Sequence, residues 1–152
     1  HLSIRRQRQM CIRDRDMSDI FEDMKGMHMK YMVPVVVDRM NKDMLGKYLA
    51  FRLEMCQEEL DETKAALDDG DTKEIVDGLI DLIVFAAGTL DAFKVDGNKA
   101  WQEVLKANLN KEIGIKESRP NPYGLPDLTK PANWEAPDHG GNTGILAKIF
   151  DK

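Results

Sequence analysis

A chain of 152 residues has room for one domain with a substantial core and little room for two. Apolar residues make up 42%, and no apolar run reaches the ~18 residues that a membrane-crossing helix needs, which excludes a helical membrane protein. From Met17 onward 17 basic residues stand against 25 acidic ones, a net charge of −8, and so acidic a surface is a poor holder of nucleic-acid phosphates.

The opening stretch, residues 1–16, is the basic exception, with Arg5, Arg6, Arg8, Arg13 and Arg15. It lacks the apolar centre of a secretory signal. It reads as a non-native or disordered leader, with "MSDIF" at Met17 as the natural start. Cys11 and Cys56 show neither metal nor redox spacing and fit a reducing, cytoplasmic setting.

A first helix is expected over "SDIFEDMKGMHMKYM", where Ile20, Met24, Met27 and Tyr31 recur at helical intervals and Ser18 is the candidate N-cap. Met24, Met27, Met29 and Met32 are expected in a core or a subunit interface. His28 is expected as a packed or surface histidine. Pro34 then interrupts, and "VPVVV" reads as either an extended link or a helix start. A long second helix is predicted from Asn41 to about Leu67, carrying Leu45, Leu49, Leu53, Cys56 and Leu60 on one face. "DDGDT" stops and restarts the chain, with Gly70 as C-cap and Asp71 or Thr72 as the next N-cap. The third helix, Lys73 to about Phe93, is apolar nearly all round and therefore central. After a turn at Val95–Asn98 comes a fourth helix, "KAWQEVLKANLNKEI", with Trp101 assigned to the core. Beyond Gly114, five prolines and the pair Gly140–Gly141 predict irregular structure, with Trp134 as its anchor. The pattern is all-α: an antiparallel four-helix bundle over residues 17–114, followed by an irregular tail, 115–152, packing on the domain or on a partner subunit.

The chemistry lies in acids on two neighbouring helices. Glu58, Glu59 and Glu62 cluster in "EELDE", and Glu62 shares a face with both others. Asp77 and Asp81 share a face of the third helix, with Asp81 set among Leu79, Ile80, Leu82 and Ile83. Glu62 lies 8 residues before Gly70 and Asp77 lies 7 after; Glu59 and Asp81 are each 11 away. An antiparallel hairpin therefore sets these pairs level to within about 2 Å. So many acids repel one another unless a cation joins them, and oxygen donors select Mg²⁺, with Mn²⁺ as a substitute. A di-iron bundle needs Glu-x-x-His pairs, and His1, His28 and His139 have no such spacing.

These motifs resemble the all-α nucleoside triphosphate pyrophosphohydrolase superfamily, in particular its MazG-like, phage-type branch. Its Glu-Glu-x-x-Glu motif is matched by Glu58, Glu59 and Glu62. In its Glu-x-x-Asp motif, aligned on "DLIVFAAGT", Asp81 takes the Asp position and the Glu position falls on Gly78, a departure for which Asp77 would compensate. A rival alignment pairs Glu74 with Asp77 in "EIVD". The family's fourth-helix Asn and Lys are matched by Asn108 and Lys111, and "GLPDLTKPANWEAP" resembles the phage-type tail.

The resemblance implies Mg²⁺-dependent hydrolysis of (deoxy)nucleoside triphosphates to the monophosphate and pyrophosphate, for nucleotide-pool control or housecleaning in a bacterial cytoplasm. It implies metal ligation by Glu59, Glu62, Asp77 and Asp81. Glu58 or Glu59 would act on the attacking water, and Asn108, Lys111 and Lys30 would contact the substrate. It also implies a homodimer or homotetramer. Phosphoribosyl-ATP pyrophosphohydrolase shares the fold and is the nearest enzyme alternative. A non-catalytic acidic helical binding module is the alternative outside enzymes.

Overall fold

The computed structural model describes residues 19–119, 121–124 and 126–152. Ser18 and the leader reading of residues 1–16 lie outside them. The first helix, α1, is Ile20–Lys30. Asp19 caps it, its carboxylate accepting from the N–H groups of Phe21 at 3.1 Å and Glu22 at 3.2 Å. Met32, at φ +60°, breaks the chain direction, and the short α2, Val33–Asp38, restarts it. Pro34 is tolerated there because first-turn N–H groups have no intrahelical partner. "VPVVV" is thus a helix start, and it adds a fifth helix to the four long ones expected.

Helix α3, Lys42–Asp69, starts at Asn41, whose side chain accepts from Met44 N–H at 2.9 Å. It ends at Gly70, which takes the left-handed conformation at φ +70°. Gly70 N–H bonds to Leu67 O at 3.2 Å and Asp71 N–H to Ala66 O at 2.9 Å, the paired bonds of a Schellman stop. Asp71 then caps α4, Thr72–Ala92, by accepting from Glu74 N–H at 3.1 Å. One residue closes α3 and the next opens α4, so the antiparallel register of the pair is set by this turn.

Helix α4 is central: α3 packs along it, α1 covers its second half, and α2 and α5, Gly97–Leu109, meet it near its C-terminal end. Asp96 caps α5, accepting from Lys99 N–H at 3.0 Å. The fourth helix was expected to reach Ile113. It stops at Leu109, and Glu112–Gly114 instead forms β1, paired antiparallel with β2, Asp127–Thr129. The core gathers Val37, Leu45, Ala92 and the fully buried Phe93, with Tyr48 stacked on Phe93 at 5.8 Å between centroids.

The tail returns to this core. Trp134 Nε1 donates to Ala107 O at 2.7 Å, anchoring the tail on α5. The buried Asn142 takes both backbone groups of Asp96, accepting from its N–H at 2.8 Å and donating to its C=O at 2.9 Å. Ile145 N–H donates to Phe93 O at 2.8 Å, and the closing 3₁₀ helix, Leu146–Phe150, packs Leu146 and Ile149 on the core. One assignment changes. Trp101 is 57% exposed rather than core, because α5 turns the face of Gly97 and Ala107 inward. Of the four methionines only Met24 is buried; Met29 and Met32 follow the chain outward at the end of α1.

Candidate functional site

The α3–α4 hairpin positions the acids. Two contacts fix the register along the seam: Gly78 lies against Thr63, and Arg52 Nε donates to Thr89 Oγ1 at 2.9 Å. That register brings Glu59 about level with Asp81, and the charges of both Asp81 and Asp77 reach Glu59. Glu59 is the hub. Partial burial pushes its carboxyl above the usual glutamate range of 4.5, and the charges of Glu62, Asp81, Asp77 and Glu58 push it further in the same direction.

No ion pair neutralises Glu58, Glu59, Glu62, Asp77 or Asp81 among the described residues. Clustered oxygen donors without a counter-cation have the chemistry of a hard divalent site. Among the described residues no three acid, imidazole or thiol groups already stand close enough to enclose an ion. The fit is therefore one of donor type and charge, in side chains that an arriving cation would draw inward.

The expected substrate contacts are more dispersed. Lys30 sits over the Tyr31 ring, 5.3 Å from its centroid, at the end of α1. Asn108 is exposed on the last turn of α5. Lys111 stands 5.6 Å from the centroid of Trp134, which Lys130 also approaches at 4.6 Å. None of these three forms a hydrogen bond or ion pair with the carboxylates among the described residues.

A polar crossing one level below the acids was not anticipated. His28, only 4% exposed, shares a hydrogen bond of 2.7 Å between its Nδ1 and Asp91 Oδ2. Arg52 approaches the same point on α4 from the other side, where Gly88 leaves room for both. The signal available beforehand was Gly88, a residue without a side chain in the middle of an otherwise apolar helix.

An antiparallel helix pair lined with uncompensated acids thus lies inside a mostly helical fold. Residues 38–108 match the family model described as phosphoribosyl-ATP pyrophosphohydrolase. This stretch, which holds all five acids and Asn108 but not Lys30 or Lys111, is thereby similar to enzymes that hydrolyse phosphoric anhydrides of nucleotides. Neither the curated proteins nor the solved structures give a significant match to the chain. No helix among the described residues is long and apolar enough to cross a membrane.

Proposed function

We propose that the protein is a Mg²⁺-dependent nucleotide pyrophosphohydrolase that converts (deoxy)nucleoside triphosphates to the monophosphate and pyrophosphate. The observation that carries this reading is the set of acids on the α3–α4 hairpin, Glu58, Glu59, Glu62, Asp77 and Asp81, which no cation pairs among the described residues and which lies inside the stretch matching the family; the raised pKa of Glu59 supports it. Glu59, Glu62, Asp77 and Asp81 are the residues that would hold the ion. Bound there, a divalent cation supplies neutralisation of phosphate charge and activation of water. Glu58 and Glu59 stand on the same turn of α3 and are the candidates to orient that water and accept its proton. Asn108 and Lys111 would meet the substrate from the end of α5, and Lys30 from the end of α1.

The family match favours a second reading in equal measure, a substrate in which the triphosphate belongs to phosphoribosyl-ATP. Both substrates present the same anhydride to the same acids. We also propose a homo-oligomer, because Val76, Leu79, Ile80 and Ile83 form an exposed apolar stripe on α4, on the side turned away from Glu59. The deciding experiment measures pyrophosphate release from the common nucleoside triphosphates and from phosphoribosyl-ATP, with and without Mg²⁺, for the protein and for Asp81→Asn. Turnover that falls about 100-fold or more in a folded Asp81→Asn supports the site. Unchanged turnover removes Asp81 from it, and turnover of phosphoribosyl-ATP alone selects the second reading.

A further inference from the structure

Arg52 leaves α3 seven residues before Glu59 and points along the same seam toward α4. Its Nε donates to Thr89 Oγ1 at 2.9 Å and its Nη2 to Phe85 O at 3.0 Å. The guanidinium stands 5.2 Å from the centroid of the Phe85 ring. A Cβ on Gly88 would come within 2.8 Å of Nη2, so the glycine keeps the arginine's place open. His28 does not compete for this cation's hydrogens through its Nδ1, which Asp91 already occupies.

Arg52 has no carboxylate partner among the described residues, although excess acid lies two turns away on its own helix. A guanidinium carries five N–H donors and does not lose its charge. Two of those donors are used here. No nitrogen of the half-buried Arg52 is both buried and without a partner, so its Nη1 edge opens to solvent. A cation held at two points beside a ring and lacking a counter-anion has donor capacity beyond what the fold uses. It is preorganised to receive paired acceptors from a ligand. At ~1.5 Å per residue, Arg52 lies about 10 Å along the helix axis from Glu59. That span is comparable to the reach of a nucleotide from its phosphates to its base, with Phe85 lying between.

We infer that Arg52 determines specificity by hydrogen-bonding the nucleoside half of a substrate whose triphosphate is held at Glu59, Glu62, Asp77 and Asp81. This rests on the proposed hydrolase reading. The test is calorimetric titration, with Mg²⁺ present, of a nucleoside triphosphate and of inorganic tripolyphosphate, which lacks the nucleoside. Arg52→Gln is expected to weaken the nucleotide about tenfold while tripolyphosphate stays within about twofold. Thr89→Val, which removes one of the two fixing contacts and keeps the charge, is expected to weaken the nucleotide about threefold and spare tripolyphosphate. It carries the test if Arg52→Gln fails to fold. Equal weakening of both ligands, or of neither, overturns the role of Arg52 and leaves the hydrolase reading standing. A wild-type protein that binds neither ligand overturns the hydrolase reading, and this inference with it.

Discussion

Thr63 and Gly78 touch across the α3–α4 seam: a Cβ built on Gly78 would lie 2.2 Å from Thr63 Oγ1. The two helices therefore approach closely at the position where the resembled family carries a glutamate. No acid fits there without separating the pair, and Asp77, the neighbour with room, acts on Glu59 instead. Gly78→Ala is expected to destabilise by about 1–3 kcal/mol through overpacking, read as a lower denaturant midpoint. Gly78→Glu, which restores the family's acid, is expected to lose more stability than Gly78→Ala and to gain no turnover. A gain in turnover would show that the seam adapts and that Gly78 marks a lost ligand.

Glu59 gives a pH-dependent prediction for the metal-free protein. Its pKa is raised in the folded state, so folding is opposed by its ionised form and favoured by its protonated form. The penalty is fully present at neutral pH. It is relieved as pH falls through the interval just above the usual glutamate value of 4.5, and it is absent below that value, where both states are protonated. Glu59→Gln is therefore expected to raise the melting temperature at pH 7.5, with the advantage shrinking toward pH 4. Added Mg²⁺ should reverse the order, stabilising the wild-type protein by about 2.7 kcal/mol at 100 times its dissociation constant and Glu59→Gln by much less. A variant that melts with the wild type at every pH would place Glu59 in open solvent.

The hairpin was legible because its signals are local. Asn41, Gly70 and Asp71 are caps with fixed geometry, and counting outward from one turn places residues on both helices. The elements that were missed depend on partners far away in the chain. Glu112–Gly114 continues a helical pattern in sequence and becomes a strand only because Asp127–Thr129 lies beside it. Trp101 has core composition, but its helix turns the face of Gly97 and Ala107 inward, which leaves the ring outside. The ties of His28 to Asp91 and Arg52 to Thr89 span three helices, and periodicity along any one helix carries no trace of them.

The tail is predicted to be part of the fold. Asn142 satisfies both backbone groups of Asp96 from a buried position. Asn142→Ala is expected to cost about 1–3 kcal/mol by leaving them without partners. Phe93→Ala, at a fully buried ring, is expected to cost about 3–5 kcal/mol. Ending the chain at Gly144 removes Ile145, Leu146 and Ile149 from that same ring's surroundings and should give a comparable loss. Urea unfolding followed by circular dichroism checks all three. A truncated chain as stable as the full one would show that the 3₁₀ helix contributes nothing to the core.

The apolar stripe on α4 leads to the last prediction. Val76 is 64% exposed and Ile80 54% exposed, and with Leu79 and Ile83 they continue one face over two turns. Exposed apolar patches of this kind mark association surfaces. The stripe lies on the far side of α4 from Glu59, so covering it would leave the acid seam open to substrate. Ile80→Glu is expected to turn a homo-oligomer into a monomer in sedimentation equilibrium, since two such charges would be buried across a symmetric contact. The hairpin is internal to one chain, so the monomer should still bind Mg²⁺ in titration. A monomer that has lost Mg²⁺ binding but kept its helical content would instead place part of the ion site across the subunit boundary.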